Sequence, residues 1–434
     1  MASKKLSVTG TGDSLFVVPF PAEYAPLLAE VARFIGSCDI KLTNLETNLS
    51  DFEYFGNAYS GGTWLNTRRK YLDDLMRFGF NFYGTANNHA LDYSCNGLLS
   101  TIAELDKHNL AHAGTGRSLD EAAAPAILTT SGGEKVAIFA VDASMNPASL
   151  AGRATKHLPA RPGVNYLRHS TVYHVSNEEL AALRKIAEKT RINFAREQLV
   201  ATGYREPDKE GVFHFGEQEF TTIEGPDTKC NAADKKRLLD AIKKAKKEND
   251  YVFILVHCHN NDGFRVENPP AYYREFAHDC IDAGVSAIFG GGCHQLRGIE
   301  IYKNTPIFYS LGDFIYQGTQ VEILPADFME KYHLDINASA KVALWARSRG
   351  GKVGLHCDKP NYQTVLPRLE FADGKMTKFQ LLVVHLNFDR KDALNGLPVV
   401  ATGKEAQEIF EVISNLSADY GTQLKMENNL IELA

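Results

Sequence analysis

Long apolar runs are absent from this sequence of 434 residues. The most apolar segments, residues 136–141 and 251–256, have the length of single strands, whereas a helix that crosses a bilayer needs about 20 apolar residues. The opening residues 1–13 contain two lysines followed by small polar residues, without the apolar region of a secretory leader. We therefore expect neither membrane insertion nor secretion.

A surplus of positive charge is also missing. Lysine and arginine number 47 against 53 for aspartate and glutamate, so the formal net charge is -6. Because a nucleic-acid backbone is bound mainly by basic side chains, this balance argues against nucleic acid as a partner. The seven cysteines are odd in number and have no short paired spacing, which indicates reduced thiols and a cytoplasmic location.

The sequence does contain short strand-like runs that alternate with amphipathic helical stretches. Runs rich in β-branched and aromatic residues lie at 6–9, 81–83, 136–141, 251–256, 285–289 and 306–309. Helical periodicity is found at 22–36, 68–78, 234–247 and 272–283. This alternation predicts an α/β fold with parallel strands. Residues 203–229 are polar and have no clear period, so we interpret them as a surface excursion.

Polar side chains that can bind a metal follow several of these strands. They are Asp13, Glu46, Asn88, His89, His257, His259 and His294. Because the carboxyl ends of parallel strands meet at one edge of a sheet, we expect these residues to converge there. Alternate residues at a strand end point the same way, which makes His257 and His259 the strongest pair of ligands. Imidazole, carboxylate and amide groups together suit Zn²⁺, Mn²⁺ or Fe²⁺ better than Ca²⁺ or Mg²⁺.

Five motifs occur in order along residues 9–314. They are Thr9-Gly10-Thr11-Gly12-Asp13-Ser14-Leu15, Thr43-Asn44-Leu45-Glu46, Thr85-Ala86-Asn87-Asn88-His89, Gly114-Thr115-Gly116 and Pro306-Ile307-Phe308-Tyr309-Ser310-Leu311-Gly312-Asp313-Phe314. This series resembles the CapA-like proteins of poly-γ-glutamate capsule biosynthesis, within the calcineurin-like metallophosphoesterase superfamily. The tail from residue 379 is similar to the end segment of one CapA-like subgroup.

The resemblance implies a four-layer α/β/β/α sandwich of the metallo-dependent phosphatase type, with a metal site at one edge of the paired sheets. Together with the residue patterns, it predicts a domain over residues 1–370, with the excursion at 203–229, and a small C-terminal α+β extension over residues 371–434, built as strand-helix-strand and packed on that domain. The implied metal ligands are Asp13, Glu46, Asn88, His257, His259 and His294. His89 is implied to lie beside the labile phosphate or carbonyl group.

Two positions depart from the family pattern. Just before the last histidine, where relatives carry a further histidine, this sequence reads Gly290-Gly291-Gly292-Cys293-His294 and has none. Asn260 follows His259 where relatives often carry an acidic residue. Both changes weaken a second metal site. The sequence therefore predicts one divalent ion, Mn²⁺, Zn²⁺ or Fe²⁺, or no catalytic ion at all.

Two reactions and one non-catalytic role are compatible with these residues. In metal-assisted hydrolysis of a phosphoester or amide, a bound ion lowers the pKa of water toward about 7, and His89 or His294 protonates the leaving group. In metal-independent epimerisation or racemisation of a peptide, Asp13 and His294 exchange a proton with the C–H next to a carbonyl. In the third interpretation, the chain is a non-catalytic component of a polymer-synthesis system. We favour hydrolysis, because His257 and His259 have the character of ligands.

The expected substrate is a peptide or another polyamide. The guanidinium group of arginine binds a carboxylate or phosphate through two parallel hydrogen bonds, and tryptophan lines apolar grooves. The candidate substrate-binding residues are accordingly Arg297, Arg68, Arg265 and Trp64. Arg297 is the best placed of them, since it follows His294 by three residues. A homodimer is compatible with the sequence.

Overall fold

A computed structural model describes residues 5–144 and 146–434. The sequence predicts no secretory leader in the opening residues 1–13, and residues 1–4 of that stretch lie outside the described residues. Its strands, numbered in chain order, are β1 (Lys5–Leu15), β2 (Ile40–Leu45), β3 (Asn48–Leu49), β4 (Asn66–Thr67), β5 (Phe82–Gly84), β6 (Ala111–Ala113), β7 (Thr115–Gly116), β8 (Ala126–Thr129), β9 (Lys135–Asp142), β10 (Gly163–Val164), β11 (His169–His174), β12 (Val212–Phe215), β13 (Gln218–Thr221), β14 (Thr228–Cys230), β15 (Tyr251–Cys258), β16 (Ala287–Gly292), β17 (Ile299–Tyr302), β18 (Thr305–Phe308), β19 (Asp313–Tyr316), β20 (Gln363–Ala372), β21 (Lys375–His385), β22 (Val399–Val400), β23 (Leu424–Glu427) and β24 (Leu430–Leu433). The strand-like runs of the sequence all overlap these elements.

The helices occupy the connections between strands. The α-helices are α1 (Ala25–Gly36), α2 (Leu72–Met76), α3 (Ser94–Lys107), α4 (Leu119–Ala122), α5 (Asn177–Thr190), α6 (Phe194–Ala201), α7 (Ala232–Glu248), α8 (Ala271–Asp282), α9 (Ala326–Lys331), α10 (Ala340–Arg347) and α11 (Gly403–Ala418). Short 3-10 helices lie at Ala22–Tyr24, Arg69–Tyr71, Pro147–Ser149, Leu355–Cys357 and Lys359–Tyr362. The mixture of helices and strands confirms the predicted α/β class.

Two large sheets carry most of the strands. The ten-stranded sheet has the order β23-β24-β21-β20-β1-β2-β5-β6, with β19 also paired to β1 and β22 to β21. The six-stranded sheet has the order β17-β18-β16-β15-β9-β8. The central pairs are parallel in both sheets, namely β1 with β2, β2 with β5, β9 with β15 and β15 with β16. This confirms the parallel pairing predicted from the alternation of strands and helices.

The core is formed where the two sheets face each other, and strand β15 shows why. Its side chains alternate between two faces, and both faces are buried. Phe253 and Leu255 join Val8 of the ten-stranded sheet in one apolar cluster. Val252 and Ile254 point the other way, into a second cluster with side chains of α7 and α8. A third cluster packs α1 and α2 against the ten-stranded sheet.

The excursion expected at 203–229 has more structure than its composition indicates. Strands β12 and β13 lie within it and β14 begins in it, and the three combine with β11 into a four-stranded sheet, in the order β12-β13-β11-β14. Phe213, Leu180 and Ala187 form a small apolar cluster between this sheet and α5. The segment therefore forms part of a small sheet, and its role as a surface excursion stays a prediction. Its strands are short and pair with β11, which lies outside the segment.

The C-terminal segment continues the ten-stranded sheet. Strand β20 pairs antiparallel with β1 from Thr9 with Arg368 to Lys5 with Ala372, so the predicted boundary at residue 370 falls inside a strand. Helix α11 buries Ile409 in the core that the two sheets share. Strands β21 and β24 then extend the same sheet.

No helix within residues 5–144 and 146–434 combines the length and apolar character that a bilayer crossing requires.

Candidate active site

The predicted site residues meet at the carboxyl ends of the parallel strands. Asp13 of β1 pairs in register with Asn44 of β2 and with Asp313 of β19. In the six-stranded sheet, His257 of β15 pairs with Gly291 of β16. The two sheets thereby place carboxylates from one and imidazoles from the other at a common edge.

Asp13 is fully buried, and both of its carboxylate oxygens accept hydrogen bonds. Asn44 Nδ2 donates to Oδ1 over 2.6 Å, and the amide of Gly292 donates to Oδ2 over 2.6 Å. His257 Nδ1 lies 3.5 Å from Oδ1. Burial acts to raise the pKa of Asp13, but these three neighbours outweigh burial and hold the pKa below the ordinary aspartate value. Asp13 is therefore an ionised, anchored carboxylate.

The glycines before His294 let β16 approach Asp13 closely. A Cβ atom on Gly291 would lie 2.6 Å from Asp13 Oδ1, too close for any side chain. Gly292 has φ of +104°, a conformation that favours glycine. His294 itself has φ of 64°, which is uncommon for a residue with a side chain and is concentrated at functional sites. This turn places the His294 ring in the site.

Glu46 has a buried carboxylate without a hydrogen-bond partner. Its exposure is 0%, and neither Oε1 nor Oε2 accepts a hydrogen bond from any described residue. The Nε2 atoms of His257 and His89 lie 3.5 and 3.9 Å from Oε1. Burial, followed by the charges of Asp13 and Asp313, raises the pKa of Glu46 well above the ordinary glutamate value. Because an isolated buried carboxylate is unfavourable, this position requires a cation or a proton.

Two groups of ligand atoms share Glu46. The first trio is Glu46, His257 and His259, the second trio is Glu46, His294 and Asp313, and within each trio the ligand atoms lie within 4.8 Å of one another. In the first trio, His259 Nε2 is buried and has no partner among the described residues. Burial and the neighbouring His257 lower the pKa of His259 well below the ordinary value, which keeps the ring neutral, as a ligand must be. The first trio therefore fits a divalent ion.

Asn88 borders the first trio. Its Oδ1 lies 2.7 Å from His257 Nε2, and its Nδ2 donates to the carbonyl of Gly61 over 3.0 Å. Because the backbone of Gly61 occupies Nδ2, the amide oxygen is directed toward the trio. Asp13, by contrast, belongs to neither trio of the described residues.

Two imidazoles of the site are each held by a buried carboxylate. His294 Nδ1 lies 3.0 Å from Asp313 Oδ1, and His89 Nδ1 lies 2.6 Å from Asp92 Oδ2. Burial lowers the pKa of His294, but the charge and hydrogen bond of Asp313 outweigh burial and raise it. A carboxylate on Nδ1 accepts that proton and leaves Nε2 for exchange with a ligand.

A cavity of about 970 Å³ lies beside these residues. His89, His259 and His294 line it. Asp13 and His257 instead line a separate and far smaller cavity. A ligand in the large cavity would therefore contact these three imidazoles rather than Asp13 or His257.

Asp313 and Asp92 belong to the site although they are not among the predicted site residues. Asp92 follows His89 by three residues, a spacing that allows a carboxylate to reach the ring across a turn, so a local signal was present. Asp313 lies in the last of the five motifs, but only the pairing of β19 with β1 brings it to the site.

Arg297, which the sequence predicts to bind substrate, is enclosed by protein and does not line the large cavity. Its exposure is 0%. The guanidinium donates to the backbone carbonyls of Val266, Cys258 and Asn260 over 3.0, 3.3 and 2.8 Å. All of these acceptors belong to the end of β15 and the loop after it. Arg297 therefore holds the segment that carries His259, rather than a ligand.

The other predicted substrate-binding residues also lie outside the lining of the large cavity. Trp64 is 7% exposed, and its Nε1 donates to the Asn57 carbonyl. Arg68 pairs with Glu322 over 3.0 Å. Arg265 pairs with its sequence neighbour Glu267 over 2.7 Å. Each of these side chains thus has a partner within the protein, and none of them lines the cavity of the three imidazoles.

The chain is similar to several known proteins. Residues 7–318 match the family model described as bacterial capsule synthesis protein PGA_cap. The chain is 30% identical to uncharacterized protein y4sH of Sinorhizobium fredii, over 98% of this chain and 92% of that protein. It is 24% identical to PGA biosynthesis protein CapA of Bacillus subtilis, over 64% of this chain and 53% of that protein. It is 25% identical to a probable polyglutamine synthesis accessory protein of Mycobacterium tuberculosis, over 54% of this chain and 45% of that protein. The chain therefore belongs to the bacterial capsule synthesis protein PGA_cap family.

Proposed function

We propose that this protein hydrolyses a phosphoester or amide bond in a peptide or polyamide substrate with the help of one divalent ion. The observation that carries the proposal is the buried carboxylate of Glu46, which has no hydrogen-bond partner among the described residues and is shared by two trios of ligand atoms. The names of relatives that refer to PGA biosynthesis and polyglutamine synthesis support a polyamide substrate.

The layering of the fold supports the same proposal. The two sheets share one core, α1 and α2 pack on the outer face of the first sheet, and α7 and α8 pack on the outer face of the second. We propose that this arrangement is the four-layer sandwich of metallophosphatases. The site then lies at the carboxyl edge of the paired sheets, where such enzymes hold their metals.

We assign the ion to Glu46, His257 and His259, with the amide oxygen of Asn88 beside His257. This mixed set of oxygen and nitrogen ligands suits Zn²⁺, Mn²⁺ or Fe²⁺. When bound, such an ion supplies an acidified water and polarises the scissile group. His294 is assigned to proton transfer instead, because its Nδ1 already bonds Asp313.

His294 protonates the leaving group in this scheme. Its raised pKa keeps more of the ring protonated near neutral pH, and it lines the cavity in which a substrate would lie. His89, which is held by Asp92, lines the same cavity and orients the reacting group.

Metal analysis of the purified protein tests the proposal. We expect about one Zn, Mn or Fe per chain, and hydrolysis of a γ-glutamyl amide or a phosphoester that is lost with a chelator and restored by the ion. A trace amount of metal, together with activity that survives the chelator, would contradict metal-assisted hydrolysis.

An Asp313→Asn variant separates proton transfer from metal binding at His294. We expect turnover to fall about 10- to 100-fold, because the His294 ring loses the carboxylate that orients and charges it. Metal content, measured in the same preparation, should stay unchanged. A parallel loss of metal would mean that Asp313 is a ligand and that the second trio holds an ion.

A second candidate function is proton exchange at the carbon next to a peptide carbonyl, that is, epimerisation. The observation that favours it is the presence of two carboxylate-held imidazoles, His89 and His294, in one cavity. Asp13 is less suited than His89 as the second base, because both of its oxygens accept short hydrogen bonds. In heavy water this reaction would break the Cα–H bond and form a Cα–D bond while the amide and phosphoester bonds stay intact, whereas hydrolysis would cleave one of those bonds and leave the α-hydrogen in place.

The cytoplasmic location is a proposal as well. It is supported by the seven cysteines, which are all free thiols.

A further inference from the structure

The large cavity carries an excess of positive charge. Lys341, Arg347, Arg390 and Lys391 line it, and none of the described lining residues is aspartate or glutamate. Arg390 is paired with Asp392, but Lys341 and Lys391 have no carboxylate partner within the described chain. The protein as a whole has a net charge of -6, so this excess is local to the cavity. Such a lining favours an anionic ligand.

The same cavity exposes a tryptophan and two aliphatic side chains. Trp345 is 64% exposed, and Val353 and Leu355 are each 40% exposed, although all three line the cavity. The other tryptophan of the sequence, Trp64, is buried. Concave surfaces that expose large apolar side chains are typical of ligand sites, so the ligand needs an apolar part beside its anionic groups.

The cationic and apolar residues that line the cavity form what we call the charged and apolar wall: Lys341, Arg347, Arg390, Lys391, Trp345, Val353 and Leu355. This wall lies in a different part of the chain from the imidazoles of the site. His89, His259 and His294 fall within residues 7–318, which match the family model, whereas the wall residues fall between 341 and 391. The wall residues thus lie outside the residues that match the family model. The more extensive match to y4sH includes this region, since it covers 98% of the chain.

We propose that the cavity binds an acidic peptide that carries an aromatic side chain. The aromatic ring packs on Trp345, and the carboxylates lie near Lys341, Arg347 and Lys391. A volume of about 970 Å³ is near the upper end of the range for small-ligand pockets, which fits a short peptide better than a single amino acid. Placement of the reacting group at the imidazoles rests on the proposed function, but peptide binding itself does not.

Calorimetry on the metal-free protein, with chelator present, tests this proposal. The probes are a peptide of three α-linked glutamates with one phenylalanine, its analogue with alanine for phenylalanine, its analogue with glutamine for glutamate, and tetra-γ-glutamate. We expect the first peptide to bind about tenfold more tightly than each of the other three, because they lack the ring or the charge. Its affinity should fall as salt is added.

Variants assign the two parts of the ligand to the two parts of the wall. Trp345→Ala should remove the preference for phenylalanine over alanine. The double change Lys341→Gln and Lys391→Gln should reduce the preference for glutamate over glutamine. Phe55→Ala and Lys236→Gln should leave both preferences intact, because they alter an exposed ring and an exposed cation, paired with Asp240, that do not line the cavity.

Equal binding of tetra-γ-glutamate, no binding of any of the peptides, or an unchanged phenylalanine preference in Trp345→Ala would overturn the proposal. These outcomes are distinct from a failure of the proposed function. The binding experiment contains neither metal nor turnover, whereas the metal and chelator experiment measures only the chemistry.

Discussion

A Glu46→Gln variant is expected to lose its divalent ion and at least about 100-fold of its hydrolytic activity, since a bound ion supplies several kcal/mol of transition-state stabilisation. Glutamine retains the shape of the side chain but not the charge that the two trios share. Metal content and turnover of the same preparation measure the effect. Full metal content with normal turnover would show that Glu46 is not a ligand of the ion.

The same variant is expected to be more stable than the unmodified protein when both are free of metal. Because burial raises the pKa of Glu46, the folded protein binds this proton more tightly than the unfolded chain does. The metal-free protein therefore loses stability as pH rises above about 4.5, the ordinary glutamate value, while the glutamine variant has no such proton to lose. The difference should widen with pH to about 1–3 kcal/mol near neutrality.

Thermal unfolding at several pH values, with and without added ion, measures this difference. The ion should stabilise only the protein that retains Glu46. Glu104→Gln is the matched control, because Glu104 is a buried glutamate whose carboxylate has side-chain partners, the ammonium group of Lys107 at 2.9 Å and the imidazole of His108 at 3.1 Å. It should keep the ion and gain no stability. A pH-independent difference for Glu46→Gln would contradict the assignment of an unpaired buried carboxylate.

An Arg297→Ala variant is expected to lose about 3–5 kcal/mol of stability, because it leaves buried carbonyls without donors and creates a cavity. The carbonyls belong to Cys258, Asn260 and Val266, so the loop after β15 should loosen first. Denaturant unfolding measures the loss, and hydrogen exchange in the loop locates it.

Two further variants sharpen this prediction. Arg297→Lys should recover only part of the stability, since an ammonium group lacks the fork of donors that reaches three carbonyls. Arg265→Ala removes an exposed arginine paired with Glu267 and should change stability by less than about 0.5 kcal/mol. Unchanged stability of Arg297→Ala, together with weaker substrate binding, would restore the role in substrate binding that the sequence predicts.

The sequence by itself determined the features that depend on local patterns. The apolar run of 251–256 and the alternation of strands with helices predict β15 and its parallel neighbours, because burial of both faces of a strand requires a continuous apolar run. Short motifs identify the family, since a motif is a property of adjacent residues. The pair His257 and His259 follows from the two-residue period of a strand end.

Only the tertiary structure decided which residues meet and which are enclosed. Asp313 reaches His294 through the pairing of β19 with β1, and Arg297 turns toward backbone carbonyls although it is three residues from His294. The charged and apolar wall around Trp345 lines the same cavity as the imidazoles only once the chain has folded. Contacts of this kind depend on sheet register and on the packing of distant segments, which no local pattern of residues encodes, so the charge environment of Glu46 becomes visible only in the fold.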